Sequence, residues 1–383
     1  MTTNHTAFYQ FCSAVRRKAA LVLCLALGML GLAVSANAQN SHIITFDVPG
    51  AGTSEWQGTF GADINDQGTI AGWYVDSGNV AHGFLRTFDG YVKEFDAPDA
   101  GNGAGQGTFP AIPTNAGSTA GWYVDSSWGE HGFVRSKYGA ITEFDAPGAV
   151  ATYTQAMNSA GVVAAVGWDA SGVPHGFVRA PDGSFTEFDP PGVGSGGTWP
   201  LWVNDLGVIA GMYYDAQNAD HGFVRTPDGT ITEFDAPNAG QGANEGAAGF
   251  MMTDAGEIVG ADHEKGVFYG FVRTPQGHFT EFSVSGAGTG NGQGTFSWAI
   301  NQANVVTGWW LDADNVDHGF VRATDGKITK FDVPGAGTGV GQGTVPEDIN
   351  AAGAIPGYYV DNNNVTHGFL RIPEAHRGDF FSR

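Results

Sequence analysis

A histidine followed by Gly-Phe returns at His82, His131, His175, His221, His318 and His367, and Tyr269 in "YGFVR" stands in the same context between His221 and His318. Imidazoles at a fixed spacing can gather around a metal, relay protons or brace a fold. One segment departs from the pattern: "GADHEKGVFYGF" at 260–271 places Asp262, His263, Glu264 and Lys265 together, with Glu245 upstream. Two carboxylates and an imidazole are the groups from which acid–base pairs or cation sites are built, given the right geometry. A second candidate is "DSSWGEH", where Trp128 and Glu130 set an indole beside acids, the combination that suits a sugar ring. The usual hydrolase signatures, Gly-x-Ser-x-Gly and His-Glu-x-x-His, are absent. The run "GAGTGNGQG" at 286–294 is followed by no helix that could receive a phosphate, so it reads as a connector.

The elements that position these residues come from a repeat. The marker histidines, with Tyr269, recur at intervals of 44 to 49 residues and define seven units. In the first unit "TFGADIN", "TIAGWYV", "AHGFLRT" and "YVKEFDAP" read as short strands rich in aromatic and β-branched residues. Turns that contain Asn and Gly, such as "NDQG", and Asp-Gly turns such as "PDG" separate the strands of a unit. No helical periodicity is sustained, and 60 glycines disfavour helices. The expectation is an all-β fold: a seven-bladed β-propeller with four antiparallel strands per blade. "HIITFDVPGAG" at 42–52 matches the end of a unit but follows no unit, so it is expected to complete the last blade and join the ends of the ring. The C-terminal tail around Phe380 competes for that slot but lacks the turn and the Ile/Thr pattern.

Strand order then constrains the chemistry. The histidines begin third strands, at roughly 4.7 Å per strand from the axis-lining first strands, so those of different units lie well over ~10 Å apart. A zinc ion needs every ligand within about 2.1 Å. No shared metal centre and no cofactor are expected; each imidazole should bond inside its own blade while the Phe packs between blades. The Asp residues of "GWYVD" should serve hairpins. Loops two-to-three and four-to-next emerge on one face, which is longer-looped and Asp-rich and is the expected binding face. First-strand positions Asp63, Ile112, Ala156, Trp202, Met251, Ala299 and Asp348 should face the channel.

The unit "IN..G.I.G.Y.D....HGF.R..DG..T.FD.PGA" resembles the extracellular HAF-repeat family, bacterial secreted proteins named for a His-Ala-Phe or His-Gly-Phe motif, over residues 43–371. The resemblance implies an exported repeat protein and carries no catalytic residues.

Export is also expected from the N-terminus. Arg16, Arg17 and Lys18 precede "AALVLCLALGMLGLAVS" and then "ANA" ending at Ala38, the order of a secretory signal peptide over 1–38. The remainder, 39–383, reads as one propeller domain, secreted to the periplasm or beyond, with no membrane association after cleavage. Both cysteines, Cys12 and Cys24, fall in the leader, so no disulfide supports the mature chain. A net charge of −22 argues against nucleic acid, whose binding requires a basic surface. The functional expectation is a binding or cell-surface interaction module with carbohydrate, such as a polysaccharide, as ligand. An extracytoplasmic hydrolase or lyase using Asp262, His263 and Glu264 is the alternative, and a purely structural surface protein the third.

Overall fold

The computed structural model describes residues 42–374. The expected signal peptide and the C-terminal tail around Phe380 lie outside the described residues. Within them the chain is all β, in 28 strands with no α-helix.

The strands follow the sequence units. In the first, Gly58–Ile64, Ile70–Val75, Ala81–Arg86 and Val92–Phe95 pair in order, each antiparallel to the last. The same meander recurs along the chain, so the local turn chemistry and the period-2 pattern are enough to define each group. Twenty-four strands are linked into one sheet system, and Ala151–Met157, Val163–Trp168, Pro174–Arg179 and Phe185–Phe188 form a separate four-stranded sheet. The N-terminal strand His42–Phe46 runs antiparallel along Thr366–Ile372, from His42 opposite Ile372 to Phe46 opposite Gly368. It thus takes the fourth position beside Gly343–Pro346, Ile355–Val360 and Thr366–Ile372.

The repeated "HGF.R" is a packing device. Its Phe is fully buried at 84, 133, 223, 271, 320 and 369, and Phe177 is nearly so. Its Gly is obligatory, because a Cβ on Gly222 would stand 2.2 Å from the Phe234 ring of the adjacent strand. Its Arg lies over the fourth-strand Phe of the preceding group: Arg135 is 4.7 Å from the Phe95 centroid and Arg273 4.7 Å from that of Phe234. Arg86, in the first group, makes that contact with Phe46 at 4.5 Å. The buried Phe of the motif meets that same fourth-strand ring of the preceding group edge-on, Phe84 against Phe46 and Phe133 against Phe95 at 6.2 Å each, so it packs between units as expected, and the ring it meets is capped by the Arg on an aromatic face.

First strands carry a bulge at one recurring place, for example between Thr154 and Ala156, between Gly249 and Met251, and between Ser297 and Ala299. A bulge re-aims the residues beside it. The turns that follow are tied to one another by asparagine amides. Asn65 Nδ2 donates to Thr114 O at 3.1 Å, Asn204 to Thr253 O at 3.2 Å, Asn301 to Asn350 O at 3.0 Å, and Asn350 to Asn65 O at 3.1 Å.

Candidate functional site

The six histidines are held by aspartates of their own four-stranded group. Nδ1 lies 2.9 Å from Asp96 for His82, 2.8 Å from Asp145 for His131, and 2.7 Å from Asp235 for His221. It lies 2.7 Å from Asp189 for His175, 2.9 Å from Asp332 for His318, and 3.0 Å from Asp47 for His367. On the other side, Nε2 faces the Asp of the loop between second and third strands at 3.5 to 3.8 Å. That loop Asp is the hairpin residue expected: Asp76 Oδ1 accepts from Gly78 N at 2.8 Å and Val80 N at 2.9 Å. An aromatic ring stacks on the imidazole in five groups, Tyr74 on His82 at 5.1 Å being typical.

Electrostatics follow from this clamp. Burial disfavours the imidazolium of His175, His221 and His318, but the two flanking carboxylates outweigh it and raise each pKa. At His367 the bond to Asp47 is the leading cause of the rise. Among the described residues His175, Glu187 and Asp189 bring three possible ligand atoms within 4.8 Å of one another. The set belongs to one group of four strands. What reading the residues one by one missed is the role of the Asp in "FD.P" as the partner of the histidine. The signal was present: His and Asp recur 14 residues apart, and the unit with Tyr269 in place of His also has Ser283 in place of Asp.

The fifth unit separates the residues expected to act together. Asp262, His263 and Glu264 are consecutive in the strand Ile258–Glu264, so His263 points to the face opposite the two acids. His263 stacks on Phe268 at 4.2 Å and places Nδ1 2.5 Å from Asn244 O. Glu245 is engaged with backbone, accepting from Lys265 N at 2.9 Å and Gly242 N at 3.1 Å. Glu264 pairs with Lys265 Nζ at 2.6 Å. Asp262 is fully buried, because it takes the inward position that tyrosine holds in four other units, as Tyr74 does opposite His82. No acid–base pair between His263 and Asp262 results, since neither carboxylate oxygen of Asp262 has a hydrogen-bond partner among the described residues.

The long-loop face forms as expected, with connectors bonded to the loops between second and third strands: Gly105 N donates to Asn79 O at 2.7 Å, and Trp56 N to Asn364 O at 2.8 Å. Two tryptophans stand on it. Trp128 is 64% exposed and Trp56, which reading the sequence did not single out, 60%. Both have a left-handed backbone, φ 67° in each case. At the places equivalent to Trp128 other units use Asn79, Asn218, Asn315 and Asn364, which tolerate that conformation. The Trp128 ring end lies over Gly105, where a Cβ would meet it at 3.1 Å. Glu130, half-buried, opens the third strand opposite Val124.

On the axis side, a cavity of about 160 Å³ is lined from every unit, by Ile64, Ile112, Met157, Trp202, Met251, Ile300 and Asp348 among others. Asp348 accepts from Ile64 N at 2.9 Å, and burial pushes its carboxyl up to about 6. Asp63 is raised further, by burial and by the Asp348 charge. Of the seven positions expected to face the channel, Ile112, Trp202, Met251 and Asp348 line it.

No family model matches the chain, and no curated protein is similar to it. Among solved structures it is similar to the BP39L lectin from Burkholderia pseudomallei, with a TM-score of 0.50 at 9% identity over 80% of this chain and 92% of the lectin. It is also similar to TolB from Acinetobacter baumannii, with a TM-score of 0.40 at 9% identity over 76% of each chain. The match to dipeptidyl peptidase 4 of Porphyromonas gingivalis has a TM-score of 0.42 at 9% identity, and this chain spans half the length of that enzyme. Identities this low concern fold alone, and that fold is all-β and propeller-like.

Proposed function

We propose that the chain is a closed seven-bladed β-propeller, exported as an HAF-repeat protein, whose long-loop face binds carbohydrate. Closure is supported by the N-terminal strand along Thr366–Ile372, by Arg86 over Phe46, and by the Asn350-to-Asn65 bond. The observation that carries the functional reading is the pair Trp56 and Trp128. A bulky residue at positive φ is strained, by the order of 1 kcal/mol or more, and an exposed indole recovers none of that through burial. Asparagine or glycine would serve the backbone better at both places, and both stand there elsewhere in the chain. Two such residues on one face, amid acidic loops, suit the apolar face of a sugar ring, with carboxylates accepting its hydroxyls. The lectin at a TM-score of 0.50 supports the scaffold of this reading.

The alternative, a hydrolase using Asp262, His263 and Glu264, is disfavoured because strand alternation turns His263 away from both acids. A panel of immobilised polysaccharides probed with the purified protein tests the binding reading. Retention on at least one polysaccharide is expected, weakened about tenfold or more in Trp56→Ala/Trp128→Ala, since base- or sugar-type stacking on an aromatic ring is worth more than 1 kcal/mol. Unaltered retention of the double variant removes the site; no retention on any polysaccharide removes the function.

A further inference from the structure

Across each unit, at the level of the histidine, four positions form a row, which in the first unit is Thr59, Tyr74, His82 and Asp96. The third unit departs from it at two places, and both change the surroundings of His175. The first is Gly167, which stands opposite His175 as Tyr74 stands opposite His82. In the first unit the Tyr74 hydroxyl donates to Glu94 at 2.9 Å. Glu187, opposite Phe177 as Glu94 is opposite Phe84, has no phenol across from it, and its Oε1 lies 3.8 Å from His175 Nδ1. A side chain does not fit at Gly167, because a Cβ there would stand 2.7 Å from the buried Phe177 ring.

The second departure is Pro190. At five connectors the amide of the residue after the row's last position donates to a first-strand threonine, as Ala97 N does to Thr108 at 2.9 Å. Proline has no N–H to give. The Thr198 hydroxyl donates instead to Asp189 Oδ1, which fixes that carboxylate with Oδ2 2.7 Å from His175 Nδ1. Asp189 is accordingly the most shielded of its kind, its side chain 24% exposed against 44 to 55% for Asp47, Asp96, Asp145, Asp235 and Asp332.

We propose that His175, Glu187 and Asp189 hold a zinc-class divalent cation within the third unit. Their three donor atoms lie within 4.8 Å of one another. Ligands about 2.1 Å from one tetrahedral ion stand roughly 3.4 Å apart, a spacing that the 2.7 and 3.8 Å found around Nδ1 bracket. One imidazole with two carboxylates suits zinc, whereas calcium takes oxygen ligands alone. Because Glu187 is exposed, the fourth position is open to water. Behind the imidazole, Nε2 faces Asp169 Oδ2 at 3.7 Å, and Asp169 is itself held by Ser171 N and Val173 N. A carboxylate in that place orients a ligating histidine and raises its basicity. The ion replaces the proton between His175 Nδ1 and Asp189, which is released to solvent. The assignment does not depend on carbohydrate binding.

The test is calorimetric titration of the chelator-treated, tag-free protein with ZnCl2 and, in parallel, with CaCl2. We expect saturable uptake of one Zn2+ per chain, tighter than any uptake of Ca2+, and a higher Tm with Zn2+. Glu187→Gln and Asp189→Asn each weaken that uptake about tenfold or more, and Thr198→Val does so by freeing the Asp189 carboxylate. Glu187 is exposed, so its variant tests the site without disturbing the fold. Glu143→Gln, at the same place opposite Phe133 in the second unit, leaves uptake unchanged. Absence of saturable uptake by the wild type overturns the proposal, as do uptake of Ca2+ at least as tight, unchanged uptake by Glu187→Gln, or an equal loss in Glu143→Gln.

Discussion

At the scale of single residues, the repeated imidazole is a brace between two carboxylates, and its chemistry shows in stability. His175, His221, His318 and His367 favour their protonated form in the fold. A raised histidine pKa contributes stability that is complete below the unfolded value of about 6.5 and is lost as pH rises through the folded value. Asp348 at about 6 and Asp220 at about 7, acids raised chiefly by burial, tilt stability the same way, since their ionisation is disfavoured in the fold. Melting curves should therefore show a higher Tm at pH 6 than at pH 8.5. His221→Gln should cost a few tenths to about 1 kcal/mol more at pH 6 than at pH 8.5, because its partners are partly exposed and the neutral imidazole keeps its bond to Asp235 and its stacking on Tyr213. An equal cost at both pH values would mean that His221 acts by packing alone. The histidine's structural role was legible from its spacing; its partner was legible only through co-occurrence, in the unit that lacks both. The separation of His263 from Asp262 was implicit in strand alternation, whereas the burial of Asp262 was not, because it depends on which face of a strand meets the neighbouring group.

At the scale of elements, the four strands of each unit were legible because apolar and aromatic residues alternate between Asn-Gly and Asp-Gly turns. The bulge in the first strand was not, since a one-residue register shift leaves composition unchanged. The N-terminal strand carries the sharpest prediction. Phe46 packs against Gly368, lies under Arg86 at 4.5 Å and meets Phe84 edge-on at 6.2 Å. Phe282 does the same within the chain, with Gly270, Arg322 at 4.9 Å and Phe320 at 5.9 Å. If His42–Phe46 is the fourth strand of the last blade, Phe46→Ala and Phe282→Ala should lose similar stability by urea unfolding, about 2–4 kcal/mol each for a largely buried ring. A loss under about 0.5 kcal/mol for Phe46→Ala beside a full loss for Phe282→Ala would mean that the strand frays and the last blade is incomplete.

At the scale of the whole molecule, residues of every sequence unit line one cavity, and connectors and the loops between second and third strands bond to one another on one face. A repeat so regular spends its recurring residues on packing, which is why function is read where the repeat yields. Trp128 was legible as an exposed aromatic in an acidic loop; Trp56 was hidden in a glycine-rich connector, where only the backbone angle marks it. Of the 10 tryptophans, these two are the prominently exposed ones. Acrylamide quenching of tryptophan emission, with and without the polysaccharide that retains the protein, therefore tests the binding face most directly. Saturating polysaccharide should shield the readily quenched emission of the wild type and leave the quenching of Trp56→Ala/Trp128→Ala unchanged. Unshielded emission in a wild-type protein that has bound the polysaccharide would contradict the account.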